Sequence, residues 1–319
     1  MFATIYQIAR NTFRETLREP IYLILLLTAL ALIGIYPLFS MFVFRQQIKL
    51  VVDSSMATTM VFGWIVAVLS ASHAIAREIN NGTALLLLSK PVNRPVFIFA
   101  KIVGILAAVA VFCVLTSIAT MVSVRVAKDQ FRLDTTALTI YFGAIVASCL
   151  IGALRNYFAQ RQYPMSCVLS MLVTLPLGAL IIWWVPVNDE IVGLNVALIP
   201  ALILVFYSVC AMATLATALS TRLDLVANLM VCGVIFVIGL MSDYLVGRHA
   251  AENWLAAVVY AAIPNWQLFW MADALAAGKQ VPGPYVVLGG AYVVLFLAVF
   301  TSLAIGMFQN REVGEQIVA

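Results

Sequence analysis

The sequence predicts an all-α polytopic membrane protein. It should hold about eight transmembrane helices, an N-terminal amphipathic elbow helix and a short cytoplasmic coupling helix. Three observations carry this. Hydrophobic residues make up 64% of the 319 and charged residues only 10%, and the mean hydropathy is +1.06, whereas a soluble domain is about a quarter charged. The apolar runs reach the roughly 20 residues a helix needs to cross hydrocarbon, while barrel strands alternate apolar and polar over about 10. The few charges fall mostly between the runs. Such a chain cannot cover a water-facing surface. That excludes a soluble enzyme, a disordered protein and a nucleic-acid-binding module.

The chain opens on Met1–Glu19. Phe2, Ile5, Ala9, Phe13 and Leu17 share one helical face, and Arg10, Arg14, Glu15, Arg18 and Glu19 occupy the others. This reads as an amphipathic helix on the membrane surface, residues 1–20, ended by Pro20. Mixed charge ahead of a long first run marks that run as a retained span, not a signal peptide. Residues 21–319 read as one transmembrane domain. Its runs are Ile21–Phe44, Met56–Ile75, Val96–Val124, Thr135–Leu154, Pro164–Val185, Asn195–Leu219, Leu225–Val246 and Pro284–Phe308. Lys and Arg are more frequent in the segments on the N-terminal side of the membrane, which places both termini in the cytoplasm. Gly34 with Pro37, Pro176 with Gly178, and Pro200 interrupt spans and read as kinks. The five cysteines (Cys113, Cys149, Cys167, Cys210, Cys232) lie inside apolar runs without C-x-x-C spacing, so they read as small packing residues.

The longest loop, residues 247–283, contains the apolar stretches Trp254–Ile263 and Trp266–Ala277. Both are too short to span and read as interfacial or re-entrant helices on the external side, with Trp254, Trp266 and Trp270 at headgroup level. Lys101 sits inside the third span within reach of the interface by snorkelling. His73 reads as packed or interfacial.

The most informative stretch is the coupling segment 76–95. Asn81-Gly82 breaks the helix leaving the second span, since Gly suits a left-handed cap. Thr83 caps a new short helix, Pro91 ends it, and Pro95 sits in the first turn of the next. The short helix carries Leu85, Leu86, Leu87 and Leu88. Four consecutive leucines on the cytoplasmic side must be covered by lipid or a partner.

Here the residues resemble a family. Glu78-x-x-x-Gly82-Thr83, then Lys90-Pro91-Val92-x-Arg94, then Lys101, is similar to the signature of type-2 ABC exporter permeases. Leu17-Arg18-Glu19-Pro20, Ile263-Pro264-Asn265-Trp266 and Phe308-Gln309-Asn310-Arg311 resemble its elbow, external half-helices and cytoplasmic exit. The segment also resembles that of permeases paired with nitrous-oxide-reductase maturation and gliding-motility ATPases. The resemblance implies that Glu78, Gly82, Thr83, Leu85, Leu86, Leu87, Lys90, Pro91 and Arg94 contact an ABC ATPase subunit. It also implies a second permease chain, as a homo- or heterodimer, and placement in a bacterial inner membrane. Its members commonly have six spans, so residues 135–185 read as an inserted pair.

The chain contains no phosphate-binding loop of the G-x-x-x-x-G-K-[ST] type. It is therefore expected not to be an enzyme and to carry no cofactor, with ATP and Mg in the partner subunit. No acid falls at a span midplane, which disfavours a stand-alone secondary transporter. A membrane subunit that transmits force to an external partner at 247–283, without transport, is the other alternative. Thr58, Thr59, Trp64 and Ser70 on the second span are candidates for a translocation path, and equally for ordinary contacts between helices. Membrane lipid is an expected partner and nucleic acid is not.

Overall fold

A computed structural model describes residues 2–40, 46–76, 93–127, 133–187, 190–191, 193–249, 253–254, 257–258, 260, 263–276 and 278–309. Among them, seven helices are long and apolar enough to cross a membrane. The helices are α1 (Phe2–Arg18), α2 (Pro20–Ser40), α3 (Gln47–Ala71), α4 (Arg94–Val126), α5 (Thr135–Ala159) and α6 (Tyr163–Trp184). They continue with α7 (Ile199–Ser220), α8 (Leu225–Leu240), α9 (Ser242–Leu245), α10 (Ala272–Ala276) and α11 (Gly283–Gln309). The strand content described is one two-residue bridge, Pro186–Val187 against Glu190–Ile191. The chain is an all-α polytopic membrane protein.

The N-terminal helix forms as its amphipathic pattern predicts, but the face it packs on the bundle is smaller than expected. Ala9, Thr12, Thr16 and Leu17 are buried, whereas Phe2 is 88% exposed. The partner is α4 at Gly104. A Cβ on Gly104 would sit 2.6 Å from the Ala9 carbonyl oxygen and 2.8 Å from Thr12 Cβ. Absence of a side chain there lets the two backbones approach.

Helices α3, α4 and α7 pack on one another as the centre of the bundle, with α2 and α1 along one side and α11 against α7 and α4. Tyr22 donates to the Ala108 carbonyl at 2.9 Å and Tyr141 to the Leu30 carbonyl at 2.7 Å. Ser123 donates to the Ile33 carbonyl at 2.7 Å. Ile33 lies four residues before Pro37, which has no N–H to offer it, so the serine of a neighbouring span satisfies the orphaned acceptor. Gly34, inside the uninterrupted helix α2, is a packing residue: its Cα faces Tyr141 so closely that a Cβ would fall 2.5 Å from the ring. The pair α5–α6 is joined by a tight turn with Gln160 in the left-handed region (φ 51°). Small residues close it, with Gly152 against Cys167, and Ser170 donating to the Ser148 carbonyl at 3.0 Å. Pro200 lies in the first turn of α7, where it costs no hydrogen bond and breaks nothing.

The structure revises the second and seventh runs. The second helix starts at Gln47, well before the expected Met56. Lys49 and Asp53 do not end it, because Lys49 pairs with Asp273 at 3.0 Å at the helix end. The seventh run is not one helix of full span length. Helix α8 has 16 residues, about 24 Å of rise. The α-conformation is lost at Met241 (φ −100°, ψ 6°), and one further turn, α9, follows. The break comes where the segment Pro264–Trp266 presses on Gly239, whose missing Cβ would lie 2.5 Å from the Pro264 carbonyl oxygen. Helix α8 meets Ser72 at Asn228 and Trp266 at Gly239. At the start of the bundle Phe97 stacks on Phe308, centroids 6.0 Å apart, so the end of α11 returns to the end where α1 lies.

In the loop 247–283 the first apolar stretch is helical at its described residues 254, 257–258 and 260, after a 3₁₀ turn at Gly247–His249, whereas the second divides into a 3₁₀ turn at Trp266–Phe269 and α10. Trp254 is exposed, as a headgroup-level residue would be, but Trp266 is fully buried, 6.4 Å from Phe236. It is a core residue, because the glycine at 239 leaves room for its ring.

Candidate functional site

Most of the coupling segment, including Glu78, Gly82, Thr83, Leu85, Leu86, Leu87, Lys90 and Pro91, lies outside the described residues. Its two flanks are described, and polar contacts from several elements meet there. On one side, α3 runs into a π-helical turn, Ser72–Ala76. On the other, exposed Arg94 opens α4, with Pro95 in the first turn and Asn93 in extended conformation before it. The expected restart of the helix at Asn93–Pro95 is present.

A π-turn replaces i→i+4 with i→i+5 bonding and leaves carbonyls open to other donors. Three consecutive residues of this one take partners from three different elements. Ser72 Oγ accepts from Asn228 Nδ2 of α8 at 2.9 Å. His73 Nδ1 lies 3.5 Å from Glu19 Oε1, at the junction of α1 and α2. The Ala74 carbonyl accepts from Lys101 Nζ of α4 at 2.7 Å. Asn228 is fully buried, and its Nδ2 also donates to the Ala216 carbonyl of α7 at 3.1 Å. The turn that leads into the coupling segment is thus tied to the elbow, the third span, and α7–α8 at once.

Lys101 departs from expectation. It does not snorkel to the interface but is 2% exposed, with Nζ 5.3 Å from the Phe97 ring centroid. Burying an ammonium is costly unless it is bonded. Here the C-terminal end of α3 supplies negative carbonyl dipole and the ring supplies its face. His73 is packed against its neighbours, as expected, and its partner is a carboxylate.

Thr58, Thr59, Trp64 and Ser70 are not gathered around one space. Thr58 shares a 2.6 Å hydrogen bond with Tyr36 of α2 and donates to the Ser54 carbonyl at 2.8 Å. Ser70 donates to the Val66 carbonyl within its own helix at 2.6 Å. Trp64 stacks on Phe236 of α8, centroids 5.3 Å apart and planes 8° from parallel. Thr59 is buried with its hydroxyl unpartnered. The four point to different neighbours, as helix contacts do.

Sequence reasoning did not single out Asn228 or Glu19 as site residues. An asparagine inside an apolar run was the available signal, since polar groups at that depth find partners inside the bundle. Among the described residues, no group of three or more His, Cys, Asp or Glu could hold a metal ion.

Comparison with known proteins gives one positive finding. A family model described as "ABC-2 family transporter protein" matches residues 6–175, which span α1 to α5 and most of α6 and include the π-turn with both flanks of the coupling segment. No curated protein matches the chain.

Proposed function

The chain belongs to the ABC-2 family of transporter proteins, and from that premise we propose that it is the permease half of an ATP-driven exporter. The chain is an integral membrane protein and the permease subunit of an ABC transporter, a family whose permeases work in dimeric assemblies with an ABC ATPase. The ATPase is the catalytic subunit.

In this reading Thr83–Lys90, within the segment 76–95, forms the coupling helix, docked on the ATPase through Leu85, Leu86 and Leu87, with Glu78, Lys90 and Arg94 at its border. ATP and Mg bind in that partner. Both termini lie in the cytoplasm of a bacterial inner membrane, and cargo moves outward. The observation that supports this best is the π-turn. Closure of two ATPases displaces the coupling segment, and Ser72, His73 and Ala74 pass that displacement to three elements together. A bond-poor junction would let the segment swing alone.

Co-expression with the cognate ATPase tests the reading. Leu86→Asp together with Leu87→Asp should abolish co-purification while leaving the permease folded in detergent. Retention of the ATPase by the folded double variant would overturn the docking role.

A further inference from the structure

At the end of the bundle away from α1, a cavity of about 570 Å³ opens between α3, α8 and the segment Gln267–Asp273. Pockets for organic ligands commonly hold about 300–1,000 Å³. Ala57, Met60, Val61, Phe236 and Leu240 form its walls, and Gln267, Trp270 and Asp273 its polar side. Along α3, Lys49, Asp53, Ala57 and Val61 recur every four residues, so one helical face runs from charge at the end to apolar lining within.

Among the described residues, the charge at this mouth does not balance. Lys49 Nζ lies 3.0 Å from Asp273 Oδ1. Asp53, one turn further in, has Oδ1 shielded from solvent with no hydrogen-bond partner. Two carboxylates therefore face one ammonium, a surplus of one negative charge beside an apolar cavity. A shielded carboxylate oxygen without a partner is costly, and a cation relieves it. Trp270 beside it offers an indole, the ring type that attracts cations most strongly. An anion would meet two carboxylates here. A neutral lipid would leave Asp53 uncompensated. A hard metal ion would want six or more oxygens, more than Asp53, Asp273 and Gln267 offer between them.

We infer that this cavity binds amphiphilic monocations: an ammonium, guanidinium or phosphonium group at Asp53 and Asp273, on an aromatic or aliphatic body lying against Met60, Val61 and Phe236. The site belongs to this chain alone. Its standing as a stage on the export route rests on the permease reading above.

The test uses the purified full-length chain in nanodiscs, without ATPase, and two probes of one shape and opposite charge, tetraphenylphosphonium and tetraphenylborate. Equilibrium dialysis reads the binding, with protein-free nanodiscs subtracting partition into lipid. The phosphonium should bind at least about tenfold more tightly than the borate. Asp53→Asn, close to isosteric, should weaken phosphonium binding about tenfold. Lys49→Met, which removes the competing ammonium, should strengthen it. Equal binding of the two probes, or phosphonium binding indifferent to both substitutions, overturns the assignment. Without ATPase in the assay, that failure leaves the permease reading intact, and lost docking leaves the cavity intact.

Discussion

Lys101 Nζ, buried in α4, donates a 2.7 Å hydrogen bond to the carbonyl of Ala74 in the π-turn that ends the second pass. The two residues stand on opposite sides of the coupling segment, so this bond closes the loop that the segment forms. Gly104, three residues on and on the same side of α4, receives α1. Elbow, third span and π-turn therefore meet within about one helical turn.

Replacing Lys101 with Met should cost about 1–3 kcal/mol, because the Ala74 acceptor stays buried without its donor. Thermal unfolding of the detergent-purified chain measures the loss. Co-purification of the ATPase should persist, because the docking surface is the leucine helix. If stability is unchanged, the bond is dispensable. If the ATPase is lost from a folded variant, Lys101 belongs to the docking surface itself.

Gly104→Ala is the matching test on the elbow. A methyl there lies 2.6 Å from the Ala9 carbonyl oxygen and 2.8 Å from Thr12 Cβ, so backbone must move, at about 1–3 kcal/mol for overpacking. Gly104→Leu should lift α1 off the bundle. Limited trypsin digestion reads that directly at Arg10, Arg14 and Arg18, with cleavage faster in the variant. Unaltered cleavage would mean that α1 is held elsewhere.

The spans and the elbow were readable because each announces itself locally, through a run of apolar residues, a proline at a boundary, or a helical period. What the sequence could not show depends on distance along the chain. Asn228 finds Ser72 across 156 residues, and nothing near either residue encodes the meeting. Lys101 was legible as a charge in a span, but its destination was not, since snorkelling and capping a carbonyl demand the same residue type. The start of α3 was misread for a related reason: Lys49 and Asp53 look like loop charges until Asp273 is placed opposite. Trp266 followed a valid rule for aromatic residues at interfaces, and the glycine that overrides it lies on another helix. The coupling segment shows the reverse case, with the most specific sequence signal falling outside the described residues.

Gly239→Ala should destabilise the C-terminal half of α8, although an ordinary glycine-to-alanine change in a helix stabilises it by about 1 kcal/mol. The added methyl would collide with Trp266 Nε1 and lie 2.5 Å from the Pro264 carbonyl oxygen. Backbone and a fully buried ring cannot both yield. The fluorescence of Trp266 should shift to the red as the ring gains water, and a Trp266→Phe control identifies its share. A stabilised variant with unshifted emission would contradict the packing described.

Asp243 Oδ1 accepts hydrogen bonds from Tyr260 and, at 2.9 Å, from Asn265 Nδ2, so three elements of the far end meet at one carboxylate. Asn265 is itself buried and holds the 3₁₀ turn by accepting from the Gln267 N–H at 2.9 Å. The hydrogen bond to Asp243 is the main reason the Tyr260 phenol is raised above its ordinary value, with desolvation second. The phenol must keep its proton to donate, and an ordinary tyrosine loses it near about pH 10. Because the folded value is the higher one, the bond contributes its full stability below about pH 10 and loses it as pH rises through the raised value. Wild type should therefore melt above Tyr260→Phe at neutral pH, and the two melting curves should converge as pH climbs past 10. Parallel curves across that range would show that the bond between Tyr260 and Asp243 contributes nothing to holding the far end together.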